Sequence, residues 1–149
     1  MRPLPELFDE CDRHLQALSE AMQRCPSPLT PDHFRIRNPD LIATLDQFAY
    51  RFSKLQDVMS VQLFRQFAVQ VLKEPVESVP IIDILNLLER YRYLDSVQHW
   101  QEIREIRNQI AHEYHLDIEE LILTLRIAFT MVGEMAEMIA RLKNRSISS

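Results

Sequence analysis

Apolar residues recur at three- and four-residue steps along most of this chain, and breaks rich in proline or polar residues separate the runs. Leu7, Cys11, Leu15, Leu18 and Met22 form one such stripe and predict a helix from about Leu4 to Arg24. The segment Cys25-Pro26-Ser27-Pro28-Leu29-Thr30-Pro31 stops it, with Thr30-Pro31 placed to cap a short turn before Asn38. Asn38-Pro39 pairs a side-chain cap with a proline in the first turn, a strong helix start. From there Leu41, Leu45, Phe48, Phe52, Leu55, Met59, Leu63, Phe67 and Val71 predict a long spine helix over 39–72, ended by Lys73-Glu74-Pro75. A third helix opens at Ser78-Val79-Pro80 and runs to about Arg92 with Ile81, Ile84, Leu85 and Leu88 inside. Ser96 caps a fourth, which runs to about Tyr114. Asp117 with Glu120 resembles a capping box and opens a fifth, which runs to about Lys143, with 144–149 a polar, flexible tail. Five helices with short connections predict an all-α, mostly antiparallel bundle built as a single domain over 1–149.

Composition narrows this further. One glycine in 149 residues argues against tight hairpins and hence against a β-rich fold. Cys11 and Cys25 show neither CxxC nor metal-ligand spacing and read as free thiols of a cytoplasmic protein. The start of the sequence carries no apolar signal segment, and the most apolar run, Leu121 to Val132, is broken by Arg126 and too short to span a bilayer, so no membrane association is expected. A net charge of −5 means that any contact with nucleic acid is local or made by a composite surface. The single Gly133, near Ala136, predicts a close helix–helix approach.

The stretch from Arg104 to Tyr114 departs from this scaffold pattern. On an α-helix with Ile103 as origin, Ile110, Ile106 and Trp100 share one apolar arc. Arg107 and Tyr114 fall inside or against it, within roughly 40° of the origin, while Arg104, Asn108 and His112 occupy one shoulder at about 100–180°. Glu102, Glu105, Gln109 and Glu113 fill the other side. A guanidinium on an apolar arc is costly if simply buried, so Arg107 is expected to open onto a cleft or an interface. Glu102 and Glu105 are candidate ion-pair partners for it, and the arc of Trp100, Ile103 and Ile110 fits either the core or a dimer interface. Arg51, Lys54 and Asp57 read as solvated face or cleft lining. His112 and His115 have a usable ligand spacing but no evident third ligand, so no metal is expected, and no cofactor.

Arg107-Asn108-x-x-x-His112 resembles the R-[polar]-x-x-x-H signature of HEPN domains, helical bundles of which many are ribonucleases. With Tyr114 it becomes R-x4-H-x-Y and is similar to HepT, the toxin of the HepT–MntA (type VII) toxin–antitoxin systems. The resemblance implies a metal-independent endoribonuclease, a homodimer whose two motifs face one cleft. In it the ribose 2′-hydroxyl attacks the adjacent phosphate and leaves a 2′,3′-cyclic phosphate. It implies His112 as general base or acid, Arg107 holding the phosphate, and Asn108 orienting imidazole or substrate. Tyr114 is implied as the residue to which an MntA-like nucleotidyltransferase antitoxin attaches AMP. Arg104 adds a second RNA phosphate contact on the strength of its angle. The competing expectation is a non-catalytic helical module that binds a nucleotidyltransferase and presents its substrate.

Overall fold

The computed structural model describes residues 2–35, 38–75, 78–112 and 117–148. Helix α1 spans Leu4–Arg24, α2 is one turn at Asp32–Arg35, and α3 runs Pro39–Val58. A π-helical turn, Met59–Leu63, joins α3 to α4, Phe64–Gln70. The remaining helices are α5 at Ile81–Arg90, α6 at Val97–Ala111 and α7 at Ile118–Ser148. The fold is all-helical, and no strand occurs among the described residues. The expected caps form: Asn38 Oδ1 accepts from Asp40 N at 2.9 Å, Ser96 Oγ from His99 N at 3.1 Å, and Asp117 Oδ1 from Glu120 N at 2.8 Å. Each satisfies a donor that the first helical turn leaves orphaned.

Four long helices make the frame, and cross-helix pairs set their directions. Arg24 reaches Gln47 and His14 reaches Arg51, so α1 and α3 run antiparallel. Trp100 meets Ser60 while Arg107 meets Asp57, so α6 runs antiparallel to the spine. Asp95 meets Arg141 and Gln109 meets Thr124, so α7 reverses again. Lys143 bonded to Asp12 closes α7 back onto α1. Each long helix therefore lies between two antiparallel neighbours, and α5 packs against α4 and α6 at one end. Arg126, the charge within the apolar run, donates from Nη2 to the Leu29 carbonyl at 2.6 Å. With Leu29 itself buried, this pins the first connection to the bundle.

The π turn explains how the spine keeps one row inward. Leu55, Met59, Leu63, Phe67 and Val71 follow one another at unbroken four-residue steps and all are buried. On a regular α-helix each such step drifts by about 40°, so a run of four would carry the row off the core. A wider turn, in which Phe64 N–H bonds Met59 O five residues back, takes up that drift. Periodicity predicts an uninterrupted helix here; the missing three-residue step was the available sign of the wider turn.

Three further expectations are corrected. Gly133 lies on the exposed side of α7, and a β-carbon there would meet nothing within 4 Å, so close packing does not explain it. Helix α7 continues through Ser148, past Lys143 where the apolar pattern places its end. Helix α6 ends at Ala111 with His112 as its C-cap, short of Tyr114. Trp100, Ile103 and Ile110 are core, at most 1 % exposed, so they are unavailable as a dimer interface. Chain reversals in this nearly glycine-free sequence fall to Lys73 and Arg92, which both adopt positive φ directly after helices.

Candidate functional site around Arg107

Helix α6 positions the candidate residues because its apolar stripe leaves no choice of orientation. Trp100 packs edge-on against Phe64 at 4.9 Å between centroids and donates Nε1–H to Ser60 Oγ, which locks the helix to the π turn. With Ile103, Ile106 and Ile110 inward, Arg107 faces the seam between α6 and α3. Its Nη2 donates to Asp57 Oδ2 at 2.9 Å, and its Nη1 to Asn108 Oδ1 at 3.2 Å. Its Nε is buried with no hydrogen-bond partner. The expected partners Glu102 and Glu105 are not those in contact: the pair runs across helices to Asp57, because the seam turns the guanidinium away from the acidic side of its own helix. Glu102 instead meets His99. Asp57 thus lines the cleft, whereas Arg51 is turned to His14 and Lys54 stacks over the exposed Tyr50 ring.

Arg104 is exposed one turn before Arg107. It stands at the edge of a groove of about 310 Å³ lined by Gln56, Asp57, Ser60 and Val61 of the spine, Ile81 and Leu85 of α5, and Trp100 and Gln101 of α6. Arg65 closes the α5 side, donating Nη1–H to Val79 O at 2.7 Å. Gln56, Ser60 and the groove itself were not found from the sequence. They depend on the π turn, and a polar residue on an exposed-looking phase gives no sign that a neighbouring helix covers it.

His112 is exposed at the C-cap, its N–H bonded to Gln109 O at 3.2 Å. Arg107 and Asn108 are therefore in direct contact, with Arg104 one turn before them and His112 one turn after them at the end of the same helix. Tyr114 and His115 lie outside the described residues.

Two other histidines answer to their surroundings in opposite ways. Burial works against a proton on His99, but Glu102 of its own helix and Glu134 of α7 outweigh it and raise the imidazole above its ordinary value. Burial lowers His14, and Glu10 only partly offsets that while Arg51 reinforces it. Burial also pushes the Cys11 thiol up to about 12, leaving it a packed thiol rather than a nucleophile.

Comparisons with protein-family models, with curated proteins and with solved structures give no match.

Proposed function

We propose that this protein is a HEPN-type endoribonuclease of the HepT toxin kind, cytoplasmic and homodimeric, silenced when an MntA-like nucleotidyltransferase attaches AMP to Tyr114. The observation that carries this reading is the state of Arg107: Asp57 holds its guanidinium in place, Asn108 touches it, and His112 sits exposed at the end of the same helix. A pre-oriented guanidinium suits a phosphate whose charge grows during attack by the 2′-hydroxyl, since no reorganisation is then needed. His112 takes the 2′-proton or donates one to the leaving 5′-oxygen. In a two-fold dimer the partner's copy supplies the complementary acid or base and doubles a positive charge that one chain shows only locally. Arg104 binds a neighbouring phosphate.

The same ion pair favours a second reading. An arginine already committed to Asp57, with Nε buried, also fits a structural role in a non-catalytic module that presents its substrate to a nucleotidyltransferase. RNA cleavage in EDTA separates the two. Wild type is expected to leave 2′,3′-cyclic phosphate ends, and Arg107→Ala and His112→Ala to lose at least about 100-fold in rate, with circular dichroism showing them folded. Equal cleavage by all three would mean a contaminating nuclease. If none cleaves, mass spectrometry of Tyr114 decides: an AMP adduct keeps the toxin reading, and an unmodified tyrosine selects the binding module.

A further inference from the structure

The groove beside Arg104 has a composition that a purely structural seam does not require. Its lining mixes apolar Val61, Ile81, Leu85 and Trp100 with polar Asp57, Ser60 and Gln101. Set among them is a primary amide, Gln56, only 3 % exposed. Its Nε2 donates to Ser60 Oγ at 2.8 Å, and Trp100 Nε1 converges on the same oxygen at 3.2 Å. Gln56 and Trp100 thus each donate to one hydroxyl, and no hydrogen bond from a described residue reaches Gln56 Oε1, which is not among the buried unpaired atoms. The π turn makes room for this, because its wider path carries Ser60 and Val61 at the groove wall.

A lining that mixes apolar side chains with amide and hydroxyl groups suits a flat ring whose faces are apolar and whose edge is polar. A volume of about 310 Å³ lies at the small end of ligand sites and is nucleotide-sized rather than peptide-sized. Arg104, which also lines the groove, places a guanidinium where a phosphate flanking such a ring would run. We infer that this groove seats one unpaired base of the RNA strand, with Gln56 reading its edge and Arg104 holding the adjacent phosphate, so that Gln56 sets the base preference of the enzyme. The inference rests on the ribonuclease reading above and adds a specificity-determining residue to it. Sequence-specific recognition of RNA uses unpaired bases in this manner, by ring contact and edge hydrogen bonds.

The test is equilibrium binding of four fluorescent 12-nucleotide homopolymers to the full chain carrying His112→Ala, which removes cleavage during the measurement. One homopolymer is expected to bind about tenfold more tightly than the others, equivalent to about 1.4 kcal/mol. Adding Gln56→Leu should collapse that preference to within about twofold without weakening the poorer binders. Gln56→Glu, which keeps the shape and changes the donor pattern, should reorder the four. Arg104→Ala should weaken all four alike and leave their order intact. Thermal melts establish that each variant is folded. Equal binding of all four, a preference that survives both Gln56 variants, or no RNA binding overturns the inference. Cleavage in EDTA with His112 intact keeps the two ideas apart. If wild type cleaves but its base preference ignores Gln56, the groove assignment falls and the ribonuclease reading stands. A Gln56-dependent preference without any cleavage reverses that result.

Discussion

At the scale of single residues, the ion pair between Arg107 and Asp57 decides how the motif is presented. Asp57→Asn removes the charge that orients the guanidinium while keeping nearly the same shape. Under the ribonuclease reading, cleavage should fall by roughly 10- to 100-fold with unfolding midpoints shifted little, as read by initial rates beside a thermal melt. A structural pair would give the opposite balance, with lost stability and no separate loss of rate. His99 makes a different prediction. Its folded-state value is raised, so the folded protein binds the proton more tightly than the unfolded chain. That stabilisation is complete below the ordinary imidazole value near 6.5 and is lost as pH rises through the raised one. His99→Gln should therefore lower the melting temperature more at pH 5.5 than at pH 8.5. His14 has the reverse sign: its lowered value means that acidification below 6.5 costs stability, and replacing it should flatten that acid-side loss.

Among the elements, α7 and the spine carry the departures from periodicity. Gly133 occupies an exposed position in the interior of α7 with open space around it. A glycine there costs backbone entropy and provides no contact, so Gly133→Ala should stabilise by about 0.5–1 kcal/mol. Calorimetry would read this as a rise of roughly 1–4 °C, and a fall would mean that α7 requires the glycine for a contact outside this chain. The π turn is the counterpart on the spine. Four successive four-residue steps hold a single buried row only because the wide turn interrupts the drift, and the same turn lets Ser60 meet both Trp100 and Gln56. An element that reads as plain scaffold thereby creates the groove.

Over the whole molecule, the antiparallel frame shares one core, in which Trp100 is the largest fully buried side chain. Trp100 touches the spine through both its ring and its Nε1, and it anchors the helix that carries Arg107. Trp100→Ala should cost about 3–5 kcal/mol and, under the ribonuclease reading, reduce cleavage through displacement of α6. The check is denaturant unfolding followed by circular dichroism, with a single transition expected for a domain of this size. Because Trp100, Ile103 and Ile110 are spent on this core, the dimer of the ribonuclease reading would have to be built from other surface. The exposed Leu123 and Ile127, one turn apart on α7, are among the apolar residues left for it.

The amino-acid sequence by itself determined the helical class, the caps at Asn38, Ser96 and Asp117, and the buried arc of α6, because each follows from local chemistry or from a repeat along one helix. It also marked Arg107 as a charge on an apolar phase in need of an outlet. What it did not contain was the identity of that outlet. Asp57 lies fifty positions away in the chain, and only the packing of α6 against the spine brings the two together. The groove follows the same logic more strongly. Gln56, Ser60, Leu85 and Trp100 belong to three separate stretches, and their meeting depends on a turn whose geometry shifts every later residue of the spine. Periodicity reports which face of a helix is apolar; it does not say what that face will meet, and a site made between helices exists only once the fold has answered that question.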